Sequence, residues 1–337
     1  MNQYLRVLSA LQAGLYNAMI EDKSVLMLCE DILDPYGGAF KVTKGLSEEF
    51  PGRVISTPIS EAGITGVGIG LALNGFRPVV EIMFGDFLTL VIDQLINQAS
   101  KIASMRPELT PVPMVLRMPM GGRRGYGPTH SQSIERLVFG VPGLTVVACS
   151  HLIDPGLMLK SAILAIDEPV IFIENKVLYA EMVKVPKDFS MEMEGVPPFA
   201  TAVLLPDEPA DVSIITYGGM APLVIEAAKF LRETEGLICE LVVSHCLSPL
   251  EIQPMRDSAV RTQRVVVVEE GLMAFGWGAE VAAVLSALAL ASPVQRVGAI
   301  NSVIPASRFL EDKVLPQVQD IVTAAIRTVD VNFPGKY

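Results

Sequence analysis

The sequence predicts an α/β protein of two domains, each built on a parallel sheet covered by helices. Three observations carry this. Short β-rich apolar runs alternate with segments whose apolar residues recur at helical spacing, as parallel strands joined by crossover helices require. The length, 337 residues, exceeds the ~100–200 of one ordinary domain. A stretch carrying Pro186, Pro197, Pro198, Pro206 and Pro209 interrupts the alternation. It divides a domain over 1–180 from one over 210–337, with 181–209 as the linker between them.

In the first domain the apolar spacing predicts a helix over 5–20, then strands at 25–28 and 78–81. A longer helix follows at 86–103, where Leu88, Val91, Ile92, Leu95, Ile96, Ala99, Ile102 and Ala103 fill one face. Strands over 112–117, 144–148 and 169–174 complete the first sheet. After the linker, strands at 212–216, 238–243, 264–268 and 294–298 are separated or followed by helices at 221–234, 276–290 and 315–328. These alternate as the first set does and predict a second α/β unit.

Composition narrows the class. With 50% hydrophobic and 19% charged residues, the chain is more apolar than an ordinary monomer needs, so large buried subunit contacts are expected. Its longest mostly apolar run, 281–291, is short of the ~20 residues of a membrane span. The first six residues lack the basic and apolar regions of a secretory signal, so a cytoplasmic location is expected. A net charge of −11 and the absence of a basic run argue against nucleic acid, whose binding rests on neutralising phosphates. Cys29, Cys149, Cys239 and Cys246 stand singly and read as reduced core thiols. His130, His151 and His245 are too scattered for a metal cluster.

Two segments carry the chemistry. Thr57-Pro58-Ile59-Ser60-Glu61 places a carboxylate at the start of a glycine-spaced apolar helix, EAGITGVGIGLALNG. Small residues at such intervals suit close packing against another backbone and leave little water around the acid. A carboxylate desolvated in this way has a raised pKa and can share a proton with a ligand nitrogen. The other reading is a capping Ser60 followed by a first-turn glutamate. The spacing G-x-G-x-G at Gly66, Gly68 and Gly70 departs from the dinucleotide fingerprint. The second segment, MPMGGRRGYGPTHSQS over 118–133, is a polar glycine-rich loop after a strand, where α/β proteins put ligands. His130 within it can exchange a proton near neutral pH; its other reading is a cap for the next helical stretch.

Together these residues resemble the beta subunit of the thiamine-diphosphate-dependent decarboxylating component of 2-oxo acid dehydrogenases, of the pyruvate, branched-chain 2-oxo acid and acetoin types, within the transketolase-like superfamily. The landmarks are LCEDILDPYGGAFKVTKGL (28–46), TPISE (57–61), VEIMFGDFLTLVIDQLINQASK (80–101), PVPMVLRMP (111–119), THSQS (129–133), VPGLTVV (141–147) and LEDKVLPQVQDIV (310–322). The resemblance covers nearly the whole chain. It implies a transketolase-like pyrimidine-binding domain over 1–180 and a transketolase C-terminal-like domain over 210–337.

The resemblance also implies a half-site. Glu61 would hydrogen-bond a ring nitrogen of the cofactor's aminopyrimidine, with Ile59, Met83 and Phe87 lining the ring and His130 near the acyl acceptor. An alpha subunit, in an alpha2beta2 heterotetramer, would hold the diphosphate and Mg2+ through a Gly-Asp-Gly motif; this chain has Gly85-Asp86-Phe87 instead. A lipoyl-bearing acyltransferase or other acyl carrier would receive the product. Some relatives hold a structural K+ on main-chain carbonyls, which here would involve Met114, Ala162, Ile166 and Glu168. Where the family usually reads Asp-Leu-Arg-Thr-Ile-Arg-Pro-Leu, this chain has Val243-Ser244-His245-Cys246-Leu247-Ser248-Pro249-Leu250. That departure keeps two alternatives open: a carboligase or acyltransferase subunit working without a lipoyl complex, and a catalytically silent stabilising subunit. Arg123 and Arg124 are candidates to bind an anionic substrate tail or an acidic carrier.

Overall fold

The structure, a computed structural model, describes residues 5–106 and 112–330. The outermost ends of both expected domains, and the start of the N-terminal segment read for a signal, lie outside the described residues. The first unit runs α1 Val7–Glu21, β1 Val25–Cys29, α2 Leu46–Glu49, β2 Val54–Ser56, α3 Glu61–Leu73, β3 Arg77–Glu81, α4 Ile102–Met105, β4 Val115–Met120, β5 Thr145–Ala148, α5 Pro155–Ala165 and β6 Val170–Asn175. The second runs β7 Ser190–Glu194, β8 Thr201–Leu205, β9 Val212–Tyr217, α6 Ala221–Glu235, β10 Cys239–Ser244, β11 Cys246–Ser248, α7 Gln253–Thr262, β12 Val265–Leu272, α8 Trp277–Leu285, β13 Gln295–Ala299, α9 Arg308–Glu311 and α10 Val318–Val329. The two-unit α/β reading stands.

The first sheet has seven strands in the order β11-β5-β6-β4-β3-β1-β2, parallel except where β11 meets β5. The second has six, β13-β12-β9-β10-β8-β7, with a parallel centre and an antiparallel edge of β8 and β7. Parallel strands covered on both faces should be apolar throughout, and β1, β5 and β9 are buried at every position. Glycine sets the closest helix contacts. A Cβ on Gly14 of α1 would lie 2.1 Å from the Gly156 carbonyl oxygen of α5, so the two helices cross backbone to backbone. No helix of the described residues is long and apolar enough to cross a membrane.

Two sequence expectations change, and one segment with an unusual sequence takes an unexpected place. The segment 181–209 holds β7 and β8, which join the second sheet through β10. The helix expected over 86–103 is broken into a 3-10 turn at Gly85–Leu90, a π-helical run at Gln94–Ala99 and the short α4. Leu88, Val91, Leu95 and Ala99 still face the core. The tight first turn instead carries Asp86 inward, where its Oδ1 accepts hydrogen bonds from the Gln132 amide at 3.2 Å and side chain at 2.9 Å. The unusual segment 243–250 leaves its own sheet. Its β11 pairs antiparallel with β5, and buried His245 bridges Ser150 Oγ and the Ala200 carbonyl, both at 2.8 Å. Burial pushes the pKa of this imidazole down to about 4, so it stays neutral.

The first sheet holds one buried charge cluster. Arg117 on β4 binds Glu174 of β6 through two hydrogen bonds, at 2.7 and 2.8 Å, and Glu81 of β3 at 2.5 Å. Tyr179 Oη donates to Glu174 at 2.8 Å. All four groups are buried. Removing one partner of such a cluster strands the others in a poor solvent, at a cost of about 3–5 kcal/mol. Arg117→Met should therefore lower the unfolding free energy by about that amount in urea titrations; an unchanged midpoint would show that the cluster contributes nothing.

Candidate functional site

The site lies where the carboxyl ends of β1, β2, β3, β4 and β6 open into loops, the usual ligand position on a parallel sheet. Glu61 is the first residue of α3 and is half-buried. Ser60 makes no side-chain bond to the helix amides, so the capping reading has no support. The desolvation expected at Glu61 falls on a neighbour that sequence reasoning passed over. Glu30, directly after β1, is 7% exposed with one carboxylate oxygen unpartnered. Burial raises its pKa, and the charges of Glu61 and Asp31 add to that. An acid placed immediately after the apolar run 25–29 was the available signal.

Around Glu61 the surface is apolar and open. Ile59 is 79% exposed and Val67 56% exposed. On α3, Gly68 is packed so closely that an added Cβ would lie 2.7 Å from Val80, whereas Gly66 and Gly70 face open space. The small-residue helix therefore packs on the sheet with one stripe and presents the other outward.

The loop after β3 supplies the second wall. Met83, Phe84 and Phe87 are half-buried there. Phe84 is the centre of an aromatic cluster, in edge contact with His130 at 4.5 Å between centroids, Phe40 at 5.4 Å, Tyr126 at 6.1 Å and Phe87 at 6.2 Å. Phe87 meets the His130 ring edge-on at 5.4 Å. His130 Nδ1 lies 3.0 Å from Thr129 Oγ1. The next helical turn, Glu135–Val138, has no side-chain cap, so His130 does not serve as one. Phe87 and His130 are thus brought together, and Met83 stands beside them in sequence. Glu61 is grouped instead with Glu30, on whose carboxyl its charge acts.

The 118–133 loop that presents His130 is held from the second unit. Glu270 on β12 accepts hydrogen bonds from the Gly122 amide at 2.8 Å and Ser133 Oγ at 3.0 Å. Glu311 on α9 accepts from the amides of Arg123 and Gly125, both at 2.9 Å. Gly121 has φ +94°, and a Cβ there would lie 2.4 Å from the Asn175 side chain and 2.8 Å from Glu270. Only glycine satisfies both constraints. The expectation that Arg123 binds an anionic tail fails: its guanidinium lies 3.5 Å from Glu270 and donates to the Pro316 carbonyl. Arg124 donates to the Lys176 carbonyl at 2.7 Å.

The proposed cation ligands do not fit. The Met114 carbonyl accepts from the Val170 amide at 2.9 Å as part of the sheet. The Ile163 and Ile166 carbonyls both accept from Arg77 Nη1 at 3.0 Å, and Arg77 Nη2 reaches Asp167 at 2.5 Å. A guanidinium thus takes the place where Ile166 would contribute to a metal, while Ala162 lies within α5 and Glu168 is exposed. Replacing K+ by Na+ should leave the thermal midpoint unchanged, and Arg77→Met should lower it in either salt. A K+-specific rise in the midpoint of the unaltered protein would contradict this.

These sites sit on a recognisable framework. Residues 4–182 match the model of the transketolase pyrimidine-binding domain, and residues 201–321 that of the transketolase C-terminal domain. Among solved structures, a split-gene transketolase described as an inactive beta4 tetramer aligns with a TM-score of 0.74, covering 97% of this chain and 98% of that one at 23% identity; that likeness concerns the fold. The molecule is therefore a transketolase-like protein of two domains. Its sequence is 37% identical over 327 residues to the pyruvate dehydrogenase E1 component subunit beta-1, mitochondrial, of Arabidopsis thaliana, covering 96% of this chain and 89% of the relative. It is also 37% identical over 331 residues to the pyruvate dehydrogenase E1 component subunit beta of Leifsonia xyli subsp. xyli, covering 97% and 95%. The chain belongs to the family of beta subunits of the decarboxylating component of 2-oxo acid dehydrogenases.

Proposed function

We propose that this chain is the beta subunit of a thiamine-diphosphate-dependent decarboxylating dehydrogenase acting on a small 2-oxo acid, and that it forms its active site with an alpha subunit in an alpha2beta2 assembly. The observation that carries the reading is the one-sided site. Glu61 is half-buried at the start of α3, Ile59 and the outward stripe of α3 stand open, and Phe87 meets the His130 ring edge-on. The donor set fits the pyrimidine half of the cofactor: one carboxylate at a helix start, an aromatic ring, and the apolar side chains of Ile59 and Met83. Mg2+ and the diphosphate belong to the partner's half, and the carbonyls around Ile166 offer no place for K+.

When bound, the cofactor would supply a carbanion centre that adds to the 2-oxo carbonyl and an electron sink for the pair left behind as CO2 departs. Glu61 holds a proton at a pyrimidine ring nitrogen, which is the work of a positioned general acid–base. Its neighbour Glu30 is the carboxyl whose pKa is raised, by burial first and then by the charges of Glu61 and Asp31. Docking the alpha subunit on the exposed stripe of Gly66, Val67 and Gly70 would remove the water that now reaches Glu61. Phe87 positions the ring plane, and His130, on the loop clamped by Glu270 and Glu311, moves a proton at the acyl acceptor. That acceptor is a lipoyl group on an acyltransferase or another carrier.

The test is Glu61→Gln in the co-expressed complex. Glutamine keeps the size and a hydrogen bond but cannot shuttle the proton, so turnover should fall by about 10²–10⁴-fold with the assembly intact by size-exclusion chromatography. Unchanged turnover would leave only a stabilising role for the chain.

A further inference from the structure

The one buried lysine beside the site has a position that its structural role alone does not explain. Lys176, the residue after β6, is fully buried. Its amide donates to the Met120 carbonyl at 3.0 Å, which fixes its backbone to the end of β4. Its ammonium donates to the His130 carbonyl at 2.9 Å and lies 5.3 Å from the centroid of the Phe84 ring. The groups that act on it come from every neighbouring element: Asp86 from the turn after β3, Glu270 from β12 and Glu311 from α9 attract it, and Arg124 from the loop repels it. Burying an ammonium is costly, and an apolar side chain of similar length would fill the same space without that cost. What the apolar side chain would lose is the bond to His130, the contact with the Phe84 ring and the attraction of the three carboxylates.

We propose that Lys176 is a positioning residue that holds His130 in its working orientation through the His130 main-chain carbonyl. The histidine is then fixed at three points: by its carbonyl on Lys176, by Nδ1 beside Thr129 Oγ1, and by the edges of Phe84 and Phe87 against its ring. Without the first, the loop keeps its clamps at Gly122, Arg123 and Gly125 before the histidine and at Gln132 and Ser133 after it, but the His130 peptide between them loses its tie to the end of β6. Misplacing a reacting group by about 1 Å can cost about 10²-fold in rate. This inference rests on the reading of His130 as an active-site group.

The charge on Lys176 gives the assignment a signature that packing alone would not. Burial lowers its pKa to about 8 against the opposing pull of Asp86 and Glu270. The ammonium is therefore present at neutral pH and lost as pH rises through about 8, and a neutral amine is the weaker donor to a carbonyl.

The experiment compares unaltered complex, Lys176→Met, Lys176→Arg and His130→Asn, all assembled with the alpha subunit, over pH 6 to 9.5. In the unaltered complex kcat should decline through about pH 8. Lys176→Met should lower kcat by about 10–100-fold with KM for the 2-oxo acid changed little. Lys176→Arg, whose charge does not titrate in this range, should retain most of kcat and lose the alkaline decline. A Lys176→Arg profile with the same decline as the unaltered complex would overturn the proposal, as would full activity in Lys176→Met. If Lys176→Met fails to assemble, the arginine profile decides alone. Full activity in His130→Asn would instead remove the reading of His130 on which the proposal rests.

Discussion

The rest of the site depends on Arg117. One guanidinium, buried in the middle of the first sheet, joins three adjacent strands by hydrogen bonds to Glu81 and Glu174. These are the strands whose carboxyl ends carry the Met83–Phe87 turn, the 118–133 loop and Lys176. A sheet held only by main-chain bonds and apolar packing tolerates small slips at strand ends, where pairing runs out. A fork of charge-assisted bonds has much narrower geometry. The cluster costs desolvation, and burial raises the pKa of Glu81 accordingly. What it gives in return is the fixed relative position of three loop origins, on which the aromatic wall and His130 are built.

The second domain completes that wall. Its Glu270 and Glu311 reach the main-chain amides of the glycine-rich loop, and its β11 extends the first sheet alongside β5. The segment 243–250 thus has a structural role within the chain: a neutral buried His245 and a three-residue strand knit the two domains together. The first domain holds the apolar and carboxylate elements of the site, and the second holds the loop that bears His130. Neither half makes the arrangement alone, and one stripe of α3 faces open space.

Much of this was legible in the sequence because it follows from periodicity. Strands β1, β3, β6, β9 and β10 are apolar runs buried on both faces, and helices α1, α6 and α10 keep one apolar face each. Glu61 could be picked out because an acid stands at the head of a glycine-rich apolar helix, and His130 because it lies in a polar loop after a strand. Glu30 apart, what was missed lacks a strong local signal. The Ser-Met-Glu-Met-Glu run of β7 does alternate, but it lies on an exposed edge among prolines, and such a segment becomes a strand only through β8 beside it. The break in 86–103 is imposed by the pull of Asp86 toward Gln132, a contact 46 residues away in the chain. Lys176 and Arg77 both donate to main-chain carbonyls, which every residue has and no sequence pattern marks. Of the four carbonyls expected to hold K+, that of Ile166 is engaged by Arg77.

The central claim is that this chain carries half of a cofactor site. It is tested most directly by titrating thiamine diphosphate with Mg2+ into the purified chain, the purified alpha subunit and their assembled complex in a calorimeter. The account predicts saturable binding by the complex and none by this chain alone. Stoichiometric binding by the isolated chain would contradict it, because a site that needs no partner would have to hold the diphosphate on residues that the structure does not place there.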